Sequence, residues 1–257
     1  MRRVDSEKLK RYIESIRLDE EKAAKLQQAK RILAFGPHPD DIEIAAGGYL
    51  ASAVEKGTKV KVVVVSDDRK SLSKLGLPAE EIMALRKKEE LNAMKVLGVE
   101  DVQFLEYIDS EVPSPKELTY DFVGIARSYQ PDVVVSLDPY LPYEAHPDHT
   151  NTGSAALSAI MFFSVPYYLS SVPVESERPF VALGATASPN VVVPIDKTIE
   201  KKIKAIYSHV SQFENSGIEK RIRDMSSALG RIVGSDYGEP FKVLEPDELH
   251  VDLLASY

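Results

Sequence analysis

The sequence predicts an α/β protein with a doubly wound, mainly parallel sheet and helices on both faces. Three observations carry that expectation. From residue 31 onward, short β-branched runs alternate with longer stretches of helical periodicity. The runs are apolar at nearly every position, as strands covered on both faces require, where a half-exposed strand would alternate. Glycines stand where several of the helical patterns stop, at Gly57 and Gly98.

In order, Ser6 to about Lys30 places Leu9, Tyr12, Ile13, Ile16, Ala23 and Leu26 near helical spacing, which predicts one leading helix. Arg31–Gly36 predicts a first buried strand, stopped by Pro37. A helix over 42–56 and a strand over 60–65 follow, then a helix over 78–97 and a strand over 102–105. Residues 115–130 read as helix, Val133–Leu137 as a fourth strand and 149–163 as helix. The alternation implies right-handed crossovers and a Rossmann-like order of layers. Beyond residue 164 the chain is less regular, with strand-like pieces at 180–184, 190–195 and 241–244 and helices near 197–213 and 217–234. No repeat or linker divides the 257 residues, so a single domain is expected, with 165–257 as an irregular C-terminal third.

Composition narrows the function. A formal charge of -8 offers no phosphate-seeking surface, which argues against nucleic acid and anionic membrane as partners. The absence of cysteine removes disulfides, thiolate nucleophiles and cysteine-type zinc sites together, so any metal must be held by histidine and carboxylate. The charged N-terminus lacks the apolar core of a signal peptide, and a cytoplasmic protein is expected.

Two motifs concentrate the chemistry. The first strand runs into Pro37-His38-Pro39-Asp40-Asp41, and the fourth is followed by His146-Pro147-Asp148-His149. A His-Pro-Asp tripeptide is expected on the order of once per ten thousand positions. Both copies follow strands, so both belong at the carboxyl edge of the sheet, where open α/β sheets bind ligands. Two imidazoles and a carboxylate with a fourth position open suit a catalytic zinc site. Taken singly, Asp40 or Asp41 could cap the following helix, and His149 could be a surface or packing histidine. Occurring together on two strand ends, they favour a site.

With Ala34–Asp41, Gly47-Gly48, Arg86-Lys87-Lys88-Glu89, Leu97-Gly98-Val99, Asp109, His146–His149, His209-Val210-Ser211-Gln212 and Tyr237–Phe241 in place, the chain resembles the LmbE-like, or PIG-L, family of zinc-dependent N-acetylglucosaminyl deacetylases over about residues 31–245. The turn after the second strand departs from the family pattern and reads Ser66-Asp67-Asp68-Arg69. The leading helix and His250 look more like the archaeal diacetylchitobiose deacetylase branch. The resemblance implies an LmbE-like fold and one Zn²⁺ per chain held by His38, Asp41 and His149. It implies Asp40 as general base, His146 as oxyanion donor and Asp148 as the group orienting His146. Arg86 and Asp109 match positions that bind sugar hydroxyls, although a salt bridge or turn cap explains either alone. Glu89 is expected to pair with Arg86 one turn away, and His209 reads equally well as a packing histidine. Gly47-Gly48 suggests a close helix–sheet approach. The substrate implied is a small acetylated amino-sugar, and the assembly a homo-oligomer, expected as a hexamer, with His250 completing a neighbour's pocket. A same-fold amidohydrolase acting on another amide, or a sugar-binding protein with a relic site, are the alternatives.

Overall fold

The computed structural model describes residues 6–71, 76–253 and 255. Its frame is one seven-stranded sheet: β1 (Arg31–Gly36), β2 (Lys59–Ser66), β3 (Asp101–Tyr107), β4 (Val133–Leu137), β5 (Phe180–Gly184), β6 (Val191–Pro194) and β7 (Gly238–Leu244). The spatial order is β3-β2-β1-β4-β5-β7-β6. The first five strands in that order pair in parallel, while β7 runs antiparallel to both β5 and β6. The sheet is therefore mixed, with the expected parallel part running from the β3 edge to β5 and the antiparallel pairing confined to the β7–β6 end.

Alternate side chains of each strand leave on opposite faces. Ile32, Ala34, Val62, Val64, Val133 and Val135 join one apolar cluster, which holds α3 (Asp41–Glu55) and α4 (Ala79–Leu97) through Leu50, Met94 and Leu97. Leu33, Phe35, Val63, Val65 and Val134 join the other, beneath α5 (Pro115–Tyr129) and α6 (Pro147–Phe162). Double coverage explains why these strands show no polar alternation. The chain leaves β1 toward β2 on one side and later places β4 on the other, so β1 and β4 flank the switch point. Both His-Pro-Asp motifs begin there.

Three expectations change. The leading segment is two helices, α1 (Ser6–Ser15) and α2 (Glu20–Gln28). Asp19 starts the second as N-cap, its carboxylate accepting the Lys22 N–H, and its own N–H donates to Asn190 O at 2.8 Å. The helix expected over 197–213 is also two, α7 (Ile199–Ile206) and α8 (Val210–Phe213), broken at His209, whose backbone leaves the helical region as its ring turns inward. Near 217–234 the structure has α9 (Ile218–Gly230) and a short 3-10 turn. The third change concerns Gly48. A Cβ there would meet Ile195 Cγ2 at 2.8 Å, so what the missing side chain admits is the turn after β6, while the Gly48 N–H donates to Glu239 Oε1 of β7 at 2.9 Å. The tight helix–sheet approach is made by Gly184 in β5, where a Cβ would lie 2.9 Å from the Ala45 Cβ of α3.

The irregular connection after α6 is tied down by Arg127 of α5. Its guanidinium, buried at 2 % exposure, donates to the carbonyls of Phe162, Phe163, Val165, Leu169 and Val172. Among the described residues no helix is long and apolar enough to cross a membrane.

Candidate active site

The loop after β1 carries His38, and α3 starts at Asp41, which puts the Asp41 carboxylate in the first turn. Asp41 Oδ2 accepts the His38 backbone N–H at 2.9 Å and stands 3.2 Å from His38 Nδ1. The same oxygen lies 3.5 Å from His149 Nε2, delivered by the first turn of α6. Ligands about 2.0–2.1 Å from a tetrahedral zinc stand about 3.3 Å apart. The separations from Asp41 to the two imidazoles match that edge, and the three groups form one of the His/carboxylate clusters among the described residues that could hold a metal ion.

The outer nitrogens of both rings are engaged. His38 Nε2 faces Asp148 Oδ2 at 3.1 Å and Asp109 Oδ1 at 3.6 Å. His149 Nδ1 faces Glu144 Oε2 at 3.2 Å. Carboxylates accept only, so each outer nitrogen carries a proton, and with a cation in place the inner nitrogens of His38 and His149 would turn their lone pairs to it beside Asp41. Burial works to lower the His38 pKa, but hydrogen bonds to Asp109, Asp148 and Asp41 outweigh it and raise it to about 12. Carboxylates gathered around one imidazole call for a positive charge at this place.

Asp148 thus departs from the expected contact. Its buried carboxylate receives His38 Nε2–H and the N–H groups of Ser110 at 2.7 Å and Val112 at 3.3 Å. What it gives His146 is its backbone N–H, donated to Nδ1 at 3.3 Å. That bond fixes Nδ1 as acceptor and leaves Nε2–H as a donor. Burial and the neighbouring imidazoles hold the His146 pKa below its ordinary value, so a neutral ring is favoured. The His146 ring packs 4.7 Å from His38 and 4.9 Å from His149, centre to centre.

Asp40 precedes α3 with φ 99° and makes no side-chain cap, which removes the capping explanation for it. For a residue with a Cβ that conformation costs of order 1–3 kcal/mol and needs outside support. The support comes from α4: Arg86 Nη2 donates to Pro39 O at 2.6 Å and to Asp40 Oδ2 at 2.8 Å, and Glu90 Oε2 accepts the Asp40 N–H at 3.2 Å. Burial first, and then the Asp41 charge, push the Asp40 pKa well above the usual carboxylate range.

Arg86 is 1 % exposed. Its Nε donates to Asp68 and its Nη1 to Glu89 at 2.9 Å, so the expected one-turn pair is formed. Every nitrogen of its guanidinium is occupied within the protein, and in this arrangement it holds Asp40 where a sugar contact was expected. Asp68 belongs to the Ser66–Arg69 turn, which is thereby anchored to α4. Asp109, also buried, accepts from Lys70 N at 2.9 Å and borders His38.

His209 is fully buried behind Arg86. Its Nδ1 faces Arg86 Nη1 at 3.3 Å and its Nε2 faces Glu43 Oε1 at 2.7 Å. Burial raises Glu43 to about 7, and burial with the Glu43 charge raises Glu90 well above the ordinary range. His250 is not brought to this cluster. It stands exposed and lines a separate cavity of about 830 Å³ with Asp138, Tyr140, Met161 and Lys242.

Sequence reasoning missed Glu144, Glu90, Asp68 and Glu43. Glu90 had a signal, since four residues beyond Arg86 puts both on one face of α4. Glu144, two residues before His146, had only proximity.

The PIG-L model, described as GlcNAc-PI de-N-acetylase, matches residues 33–160. The structure is similar to N,N'-diacetylchitobiose deacetylase from Pyrococcus horikoshii, with TM-score 0.85, 32% identity, and coverage of 99% of this chain and 98% of that one. The diacetylchitobiose deacetylase of Thermococcus kodakarensis is 29% identical, covering 86% of each chain. A 1D-myo-inositol 2-acetamido-2-deoxy-alpha-D-glucopyranoside deacetylase of Kineococcus radiotolerans is 27% identical over 73% of this chain and 70% of its own. With His38, Asp41 and His149 joined at the switch point of the sheet and a similarity that runs the length of the chain, the protein belongs to the PIG-L family.

Proposed function

We propose that the chain is a zinc-dependent deacetylase that removes the N-acetyl group of an N-acetylglucosamine-type sugar, diacetylchitobiose being the first candidate. The observation that carries this reading is the arrangement of Asp41 at 3.2 and 3.5 Å from two imidazoles, with the elevated carboxyl of Asp40 next to it. The names of the relatives support the choice of substrate.

His38 Nδ1, Asp41 Oδ2 and His149 Nε2 would hold the ion, and their spacing and tautomers fit it. A zinc ion there supplies Lewis acidity, which makes water nucleophilic near neutral pH and polarises the acetamide carbonyl. Asp40 accepts the proton from the attacking water as the C–O bond forms. His146 Nε2–H donates to the oxygen that gains charge. Asp40 then returns its proton to the departing nitrogen as the C–N bond breaks, giving acetate and a free amine. Asp109, beside His38, remains a candidate for a sugar hydroxyl, as does Arg86 if its guanidinium is released from Asp40.

The test is acetate release from N-acetylglucosamine, N,N'-diacetylchitobiose and longer oligomers, against simple acetamides, before and after chelation. Activity that is confined to the sugars, lost on chelation and restored by zinc supports the reading. No acetate from any acetylated amino-sugar in the zinc-loaded protein refutes it. Elemental analysis of cell-derived protein decides between zinc and iron.

The reading extends to assembly. A homo-oligomer, hexameric in the first instance, with His250 supplied to a neighbouring subunit, is supported by the exposure of His250 together with Tyr140, Tyr143, Val251 and Leu253. Mixing inactive Asp40→Asn chains with inactive His250→Ala chains should restore part of the activity. Light scattering that finds a monomer removes this extension.

A further inference from the structure

We propose that Glu90 is a positioning residue that, together with Arg86, grips the Pro39–Asp40 peptide from both ends and so sets the direction of the Asp40 carboxylate. The inference rests on the deacetylase reading above, in which Asp40 moves the proton.

The geometry is specific. A peptide unit has one acceptor and one donor, and here both are taken by residues one turn apart on α4. Arg86 Nη2 donates to Pro39 O at 2.6 Å, and Glu90 Oε2 accepts the Asp40 N–H at 3.2 Å. The carbonyl and N–H of a trans peptide point in opposite directions, so holding both fixes its plane. The plane matters because the next bond is the Asp40 φ of 99°, a conformation that residues with a Cβ rarely adopt. Arg86 Nη2 also holds Asp40 Oδ2 at 2.8 Å, so the same nitrogen fixes both the backbone and the carboxylate.

The clamp is itself backed. Glu89 binds Arg86 Nη1 at 2.9 Å and is held by the Ser211 N–H at 2.8 Å and the Ser211 hydroxyl at 2.6 Å. Behind Glu90, His209 Nε2 lies 3.6 Å from Glu90 Oε2 and 2.7 Å from Glu43 Oε1. Glu90 touches none of the groups proposed as metal ligands, which separates its role from the metal centre. A carboxyl kept fully buried beside a second buried carboxyl, Glu43, is costly for folding and contributes best to placing a neighbour. A general base displaced by about 1 Å loses on the order of 10²-fold in rate.

The experiment compares Glu90→Leu and Glu90→Gln with the wild-type protein. Leucine removes the acceptor for Asp40 N–H and also relieves the repulsion with Glu43, so the variant should fold. Its kcat should fall by about 10- to 100-fold with KM within about twofold, while the metal content stays as in the wild type. Glutamine keeps an acceptor oxygen and should restore kcat to within about threefold of the wild type. A crystal structure of E90L should show Asp40 moved out of the left-handed region. The proposal is overturned if E90L keeps its kcat, if E90L loses metal in step with activity, or if E90Q is as damaged as E90L. Should E90L not fold, E90Q decides alone, a loss beyond about tenfold at full metal content overturning the clamp. If the wild-type protein releases no acetate from any acetylated sugar, the deacetylase reading fails separately. The clamp then stands or falls on whether the 39–40 peptide moves in the E90L crystal structure.

Discussion

Replacing Asp148 tests the division of labour around His38 most directly. The carboxylate is fully buried and receives three donors: His38 Nε2–H at 3.1 Å, Ser110 N–H at 2.7 Å and Val112 N–H at 3.3 Å. Asp148→Ala orphans all three, at about 1–3 kcal/mol each. Water entering the vacated polar space keeps the total near the lower bound, about 3 kcal/mol. For a chain of this length that corresponds to a drop of about 6–12 °C in Tm. Asp148→Asn keeps one oxygen, which suffices for His38 and Ser110, and turns its amide toward the long Val112 contact, so it should cost only about 1 kcal/mol. Because His38 loses the partner that fixes its tautomer, zinc affinity should fall about 10- to 100-fold in the alanine variant and less in the asparagine variant. Calorimetry and zinc competition against a chelator measure both quantities. If Asp148→Ala binds zinc as tightly as the wild type while kcat collapses, the carboxylate acts through His146 and the contact with His38 is incidental.

Asp40→Asn should retain its zinc and lose about 10²–10⁴-fold in kcat, read by acetate release; near-normal turnover would move the base elsewhere. Glu144→Gln, which weakens the bond to His149 Nδ1 now at 3.2 Å, should lower zinc affinity about tenfold and leave kcat at saturating zinc unchanged. Gly48→Ala places a Cβ 2.8–3.0 Å from three Ile195 side-chain carbons. Overpacking of about 1–3 kcal/mol should exceed the gain of about 1 kcal/mol in helix propensity, so Tm falls, and a rise would show that the turn after β6 yields freely.

Much of the centre of the fold was legible because it is locally encoded. Val60–Val65 and Val133–Leu137 are apolar throughout because two helical layers cover them, and Gly57 and Gly98 take the positive φ that ends a helix. The two His-Pro-Asp motifs could be grouped from sequence since topology brings the ends of β1 and β4 together, whereas the choice of His38, Asp41 and His149 among their residues came from the family resemblance. The misses share a cause, which is pairing across long sequence separation. Asp148 was assigned to His146, two residues away, whereas its carboxylate meets His38 across 110 positions. The insertion of β7 between β5 and β6 left no periodic trace, because the edge order depends on which strand reaches the sheet. Likewise the helix break at His209 follows from a partner, Glu43, that lies 166 residues earlier.

Arg127 carries a consequence for how this protein can change over time. The five oxygens it binds, one at the last residue of α6 and four beyond it, belong to the main chain, and every amino acid supplies one. The backbone from Phe162 to Val172 is therefore held by groups that substitution leaves in place, while Phe163, Tyr168 and Leu169 also pack on the core through their side chains. Substitutions at its exposed positions, such as Ser164, Tyr167, Ser170 and Ser171, can accumulate so long as its length is kept, and much of the burden of preserving its shape falls on one codon in α5. Variation between relatives should be wide at those exposed positions and narrow at Arg127, Phe163 and Tyr168.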